Sequence, residues 1–398
     1  MESDVFVSGG GISGMIAALA FERAGLSVIC ADPVSSVTEP DKRGADLRTT
    51  AFLQPSKSFL QSIGIWEKLA EFAMPLQVMR IVDAGGSTEP PVIRVIKEFQ
   101  SSDISDQPFG WNVPNFISRR EILKSINSAP KVTFLPGVCT VSLFTRENEA
   151  RIKLSNGQKI RARLVIAADG HASFVRQNAK ISVITKRFDQ KALAFSVTHP
   201  IPHKNVSTEI HRNGGPFTLV PLPDREGSPA SAIVWMETCK RATQLMQIEL
   251  ESFHEEMNAR SCGILGPLSL ATKRSVWPII SQVSNSLRAQ RIALVAEAAH
   301  VIPPIGAQGL NMSLEDIRTI VELATKAEDI GSASVLDSYH KARINDVRLR
   351  VGGISLLNHI SSAQSQIFHD LRASGIKVLH GLKPLRKSLM RIGLGFNS

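Results

Sequence analysis

The chain opens on an apolar run, Val5-Phe6-Val7, broken by Ser8 and three glycines, Gly9-Gly10-Gly11. A stretch rich in Ala and Leu follows over residues 15–24, then Gly25, then a second apolar run, Val28-Ile29-Cys30-Ala31, that ends on Asp32. Short apolar runs flanking a helix-length segment predict strand, glycine turn, helix, strand: a βαβ unit at the start of the chain. Further on, helical spacing predicts a helix over 48–60, and short strands are expected over 76–83 and 91–96, bounded by Gly-Gly and Pro-Pro. A helix is expected over 118–126 with Ser118 and Glu121 as a capping box, then strands over 132–135, 151–154 and 164–168.

From about 188 to 235 the pattern changes to β-rich runs (192–198, 208–211, 218–222, 232–235) separated by Pro and Gly, as an antiparallel sheet requires. A buried strand is predicted over 291–296, followed by Pro303-Pro304 and a helix over 310–327. The fold class is therefore α/β: a Rossmann-like nucleotide domain assembled from separated stretches, an inserted antiparallel β-sheet domain, and a helical C-terminal tail.

Composition narrows the partners. With 43% hydrophobic and 21% charged residues the chain is an ordinary globular one, and 398 residues exceed two typical domains of about 150 residues. Its four cysteines, Cys30, Cys139, Cys239 and Cys262, form no Cys-x-x-Cys pair, so neither a zinc site nor a disulfide framework is expected. The net charge of +10 would suggest nucleic acid, but residues 341–398 hold ten Lys or Arg against two acids, +8 of the total. The body is nearly neutral, and no nucleic-acid partner is expected. Glu2 and Asp4 replace the basic start of an export signal, and no apolar run approaches the ~18 residues of a spanning helix. The expected location is cytoplasmic, with contact to the inner membrane face from the side.

Gly9-x-Gly11-x-x-Gly14 carries the first chemistry. In such a turn the first glycine lets the chain leave the strand, the second lets backbone approach a pyrophosphate, and the third lets helix and strand pack closely. Ser13 sits at the helix start, and Asp32 stands where a carboxylate accepts from an adenosine ribose. Two later segments matter: Ala168-Asp169-Gly170 followed by Ser173 and Arg176, and residues 294–311, which include Glu297, His300, Pro303, Pro304, Gly306, Gly309, Leu310 and Asn311. His254-Glu255-Glu256-Met257-Asn258 fails a zinc pattern because Asn258 replaces the second histidine, and no metal site is expected.

With these three segments in order, the sequence resembles the single-component (class A) FAD-dependent monooxygenases of the aromatic-hydroxylase type. Within them it resembles the ubiquinone-biosynthesis ring hydroxylases, through Arg48-Thr49-Thr50-Ala51-Phe52-Leu53-Gln54-Pro55-Ser56 with Gly64-Ile65-Trp66, through residues 304–311, and through residues 384–391. One departure stands out: the family's late Gly-Asp is Ala296-Glu297 here, which moves the carboxylate one methylene outward.

The resemblance implies FAD, held by Gly9, Gly11, Ser13, Gly14, Asp32, Arg48, Arg120 (with Arg119 as competitor), Asp169, Glu297, Gly309, Leu310 and Asn311. His300 and Pro303 belong to the loop beside the flavin, and a helix starting near Leu310 aims amides at the charge of a reduced flavin. The FAD-binding domain is expected over 1–75, 99–180 and 282–340, the β-rich substrate domain over 76–98 and 181–281, and a basic helical region over 341–398. Phe217, Leu219 and Pro221 are candidates for the pocket floor.

The implied reaction is hydroxylation of the aromatic ring of a polyprenylated phenol in ubiquinone biosynthesis, through a flavin peroxide. Dioxygen and an external electron donor, NAD(P)H or a redox protein, are the co-reactants. Two alternatives stand beside it: hydroxylation of a small soluble aromatic acid, and a flavin-binding assembly protein without catalysis. In the tail, Leu382, Leu385, Leu389 and Ile392 beside Lys383, Arg386, Lys387 and Arg391 suggest contact with a membrane surface or a biosynthetic complex.

Overall fold

The computed structural model describes residues 1–40, 42, 44–85, 91–362 and 383–394. The opening βαβ unit forms as its pattern predicts: Glu2–Ser8, helix Ile12–Arg23 and Val28–Asp32. The two strands pair in parallel, and Glu2–Ser8 also pairs in parallel with Lys159–Ala167. Val132–Pro136 extends one side, Ile292–Leu294 the other, and Arg288–Ala289 closes that edge. Strands separated by more than a hundred residues are thus neighbours in the first sheet, and their apolar faces share one core with the first helix.

The second sheet has nine strands, all paired antiparallel except Val78–Asp83, which runs parallel to Val206–Arg212. Its center is Val183–Thr198 between Ser228–Thr238 and Ser275–Ser284. One face carries Leu193, Phe195, Phe217 and Trp235, covered by helices Cys239–Gln247 and Leu250–Ser261 through Leu245, Phe253 and Met257. The other face is the one that matters for the site. A small third sheet joins Thr49–Leu53, Gly110–Pro114 and Met74–Leu76.

Three local expectations are corrected. The first five residues of the helix expected over 48–60 are almost all a strand: Thr49–Leu53 pairs with Gly110–Pro114, and the helix is Gln54–Ser62. Its β-branched and aromatic residues suit a pleated surface, and Pro55 marks the true helix start, where a missing N–H costs nothing. The helix expected from Ser118 runs from Asn115 to Ser128 with Pro114 before it, so Ser118 lies inside the helix and caps nothing. Glu121 instead pairs with Arg120 and Lys124. The strand expected over 91–96 is Val95–Gln100.

The C-terminal region is less a tail than a clasp. A long helix, Ala333–Ser362, packs on helix Gln308–Ala324 and against the second sheet. A later helix, Lys383–Leu394, returns to the body, where Met390 packs near Leu53 and Phe109 and Arg386 reaches Asp103 at 3.1 Å. The side chains of the expected apolar stripe, Leu382, Leu385, Leu389 and Ile392, lie outside the described residues.

Candidate cofactor and substrate site

A cavity of about 750 Å³ lies between the first sheet, residues 296–310 and the second sheet, within the range of small-molecule sites. Three chain segments far apart in sequence meet there.

At the first segment the three glycines separate into two kinds. Gly9 has φ +106°, and a Cβ on it would run into the Ala168 carbonyl; a Cβ on Gly14 would run into the Gly9 carbonyl. The fold itself therefore demands these two. Gly11 has φ −66°, and a Cβ there meets no protein atom within 4 Å. It faces the cavity, so only an occupant pressed against the backbone gives it a reason to be glycine. Helix Ile12–Arg23 begins at Gly11 with no side-chain cap and no acid in its first turn. Its free amides and positive dipole end make an anion seat. Ser13 lines the same cavity. Asp32 lines it too, with its carboxylate oriented by the Gly10 N–H at 2.5 Å and the Val34 N–H at 2.8 Å.

In the second segment Asp169 accepts from the Ser173 hydroxyl at 2.5 Å and the Val175 N–H at 3.1 Å. Burial pushes its carboxyl above the usual range despite those bonds. Ser173 caps helix Phe174–Asn178 by accepting from the Arg176 N–H. Arg176 then donates to the carbonyls of Ala298 and His171, bracing this segment against the third.

Of the arginines, Arg48 reaches the cavity. It holds Asp46 through both Nε and Nη2 at 2.7 Å and lies 5.3 Å over the Trp277 ring, so it links the nucleotide side to the second sheet. Burial works against its charge, but Asp46 and Glu297 outweigh that and raise its pKa. Arg120 is a correction: it bonds Glu121 at 2.6 Å and sits over Phe72, away from the cavity wall. Arg119 lines the cavity instead, and its buried Nε has no hydrogen-bond partner. On a helix, neighbours project about 100° apart, so only one of two successive arginines can face the site.

The third segment forms the floor. Ala296 takes φ +55°, the left-handed region, at the position where the resembled family has glycine. Glu297 follows in a short turn, Ala296–Ala298, and lines the cavity with His300, Pro303, Gly309 and Leu310. His300 is 2% exposed, and its Nε2 is 2.7 Å from Asp316 Oδ2. The next helix begins at Gln308, again with no side-chain cap and no acid in its first turn, and a Cβ on Gly309 would also meet open space.

Asn311 is placed differently from expectation. Its side chain donates to the carbonyls of Ala51 and Ala307 and accepts from the Leu53 N–H, so it braces the helix against strand Thr49–Leu53 and does not line the cavity. The helix starts two residues before the predicted position, which carries Asn311 past the open end.

The wall facing this floor comes from the second sheet: Val234, Trp277, Pro278, Ile279 and Ile280, none of them charged. Phe217 and Leu219, expected as pocket floor, are on the opposite face, in the core under the two helices. Thr218 pairs with Val234, so the expectation misses by one residue, which in a strand reverses the face. Pro221 is also away from the cavity, its carbonyl accepting from Asn112. The Trp277 to Ile280 wall escaped the sequence reading, although an apolar run around a lone Trp was its signal.

Among the described residues no cluster of His, Cys, Asp and Glu could hold a metal, and no helix is long and apolar enough to cross a membrane. The donor set suits FAD: two uncapped helix starts for anionic groups, fixed carboxylates for hydroxyls, a buried arginine nitrogen left unpartnered, and open space above Gly11 and Gly309.

Comparison with known proteins agrees. The chain is 28% identical over 400 residues to a ubiquinone hydroxylase of Rhodospirillum rubrum, covering 99% of this chain and 90% of that protein. It is 24% identical over 400 residues to the 3-demethoxyubiquinol 3-hydroxylase of Escherichia coli, covering 99% and 98%. In fold it is similar to p-nitrophenol 4-monooxygenase of Pseudomonas putida, with a TM-score of 0.80, 16% identity and 100% of both chains covered. A family model described as an FAD binding domain matches residues 2–349, and the chain belongs to that family.

Proposed function

We propose that this protein is an FAD-dependent monooxygenase that hydroxylates the aromatic ring of a polyprenylated phenol in ubiquinone biosynthesis. The observation that carries the choice of substrate is the uncharged wall formed by Val234, Trp277, Pro278, Ile279 and Ile280. A small aromatic acid calls for a cation aimed at its carboxylate. Arg48, which lies over the Trp277 ring of that wall, is already held in a two-pronged pair by Asp46. The names of the relatives point the same way.

In this reading the amides at the start of helix Ile12–Arg23 and Arg119 hold the pyrophosphate, Asp32 the ribose, and Asp169 and Glu297 hydroxyls further along. Gly9 and Gly14 keep the backbone of that seat in place, and Gly11 leaves it open. Bound there, FAD supplies electron transfer and oxygen activation. The amides of Gly309 and Leu310 at the open helix start steady negative charge near the ring. Pro303 and Pro304 stiffen the floor, His300 shapes it through Asp316, and the apolar wall keeps water from the reacting face. Dioxygen and an external donor, NAD(P)H or a redox protein, complete the reaction.

We place delivery of the lipid at a membrane surface reached by the C-terminal region, where Leu349, Leu356 and Leu357 of the long helix are exposed. Arg386 is committed to Asp103 and contributes little to that contact. Co-sedimentation with anionic vesicles, weakened by salt, is the expected result.

The deciding experiment is mass analysis of lipid quinone intermediates in cells lacking the protein. A prenylated phenol short of one ring hydroxyl is expected to accumulate, and to disappear on complementation. Accumulation of a soluble aromatic acid instead would select the other hydroxylase. An unchanged profile of both, with FAD bound to the purified protein, would leave the assembly role.

A further inference from the structure

The cavity floor is gripped from outside by a chain of charged groups of which the proposed reaction uses only the His300–Asp316 link. Asp316, fully buried on helix Gln308–Ala324, is within 2.7 Å of His300 Nε2, accepts from the Ala296 N–H at 3.3 Å and from Arg343 Nε at 2.8 Å. Arg343, on the long helix Ala333–Ser362, also donates through Nη1 to Asp346 at 2.8 Å. Asp346 accepts from Arg350 Nε at 2.8 Å, and Arg350 Nη1 donates to the side-chain oxygen of Gln308 at 2.7 Å. Gln308 returns its own amide to the carbonyls of Gly306 and Gly393. The circuit leaves the floor at Ala296 and His300, runs along the long helix, and re-enters at Gln308.

Both ends of residues 296–308 are therefore fixed to one rigid helix outside the cavity. Two bends in this segment depend on left-handed alanines, Ala296 at φ +55° and Ala307 at φ +56°. Such conformations cost about 1–2 kcal/mol each and persist only when surroundings enforce them. At Ala296 the N–H is held by Asp316, and at Ala307 the carbonyl is held by Asn311 while the next residue, Gln308, is held by Arg350. The ionic chain passes through residues 343–350, part of the stretch whose charge excess looks like a solvent-facing tail.

We infer that Arg343 and Arg350 are positioning residues for the cofactor site, setting the height of the 296–308 floor and the direction of the amides at Gly309 and Leu310. The inference rests on the cavity being the FAD site and adds a remote control of its geometry. Arg350 is the better probe, because its side chain is 17% exposed and its removal leaves the Asp316–Arg343 pair intact.

In Arg350→Met, the apoprotein should unfold within a few degrees of the wild type. FAD affinity, read by flavin fluorescence, should weaken about tenfold, the scale of one lost hydrogen bond to a charged group. The visible flavin band and the midpoint potential should shift as well, and Arg350→Lys, which cannot bridge Asp346 and Gln308 at once, should restore only part of the change. Unchanged affinity, spectrum and potential would overturn the inference, as would a loss of FAD explained wholly by destabilised apoprotein. Gly11→Leu, made alongside, separates the levels: if it too retains FAD, the site itself is misplaced; if it alone loses FAD, the site stands and the remote grip is wrong.

Discussion

The two helix starts that open on the cavity are chemically alike and architecturally opposite. The first, at Gly11, is mostly local: strand, turn, helix, strand and Asp32 hold one another within 32 residues, with Ala168 packed against Gly9 from outside. The second, at Gln308, depends on Asp316, Arg343, Asp346 and Arg350, and on a carbonyl at Gly393. Neither has a side-chain cap. The same electrostatic device is built once from local backbone geometry and once from long-range ion pairs, and the two should fail differently.

The sharpest contrast is at Gly11. Gly11→Leu should fold, since no protein atom stands in the way, yet lose FAD completely, read as loss of the visible spectrum on purification. A yellow Gly11→Leu protein would erase the distinction between glycines that serve the fold and one that serves an occupant.

At Asp316, the buried anchor of the second start, the expected failure is one of stability. Asp316→Asn removes one of the two carboxylates that hold buried Arg343 and leaves Asp346 as its partner, a loss of about 1–3 kcal/mol, read as a lowered denaturation midpoint. Burial raises the pKa of Asp316, but the charges of His300 and Arg343 outweigh it and hold the carboxyl below its usual 3.8. A carboxyl depressed on folding contributes stability that is present above its unfolded pKa and is lost as pH falls through the folded value. The acid loss of stability below pH ~4 should be shallower in Asp316→Asn than in the wild type. Equal acid profiles would show that the pair is not the grip.

Smaller effects sharpen the comparison further. Glu297→Ala should weaken FAD binding by about 1.5–3 kcal/mol in titration calorimetry, one charged hydrogen bond, while Glu297→Asp should bind at least as well as wild type. Ala296→Gly should raise apoprotein stability by about 0.5–1 kcal/mol, because glycine enters the left-handed region without penalty. If Ala296→Gly instead loosens FAD, the strained alanine is part of the site's geometry.

The same contrast explains what the sequence made legible. The first helix start was readable because all its parts are neighbours in the chain, and the glycine spacing has one mechanical meaning. Around the second, the residue types were readable but not their assignments. Asn311 looks like a ligand until the helix is seen to begin at Gln308, which turns it into a brace. Arg119 and Arg120 differ only by helix phase, and Phe217 and Val234, on neighbouring strands, lie on opposite faces of one sheet. Arg343 was legible only as part of a charge excess, because its partner Asp316 lies in another helix and no local pattern joins them.

On the ribosome the two halves of the site arrive far apart in time. The glycine turn leaves the exit tunnel early, but strand Ile292–Leu294 must still slot beside Lys159–Ala167, and the floor is not clamped until Arg350 has been made. At about 5–20 residues per second, the interval between the turn and its clamp is tens of seconds. During that interval the nascent chain has the glycine turn but not the grip on residues 296–308. On the proposed reading, a chain terminated before the long helix keeps the glycine turn but should bind FAD more weakly than the full chain.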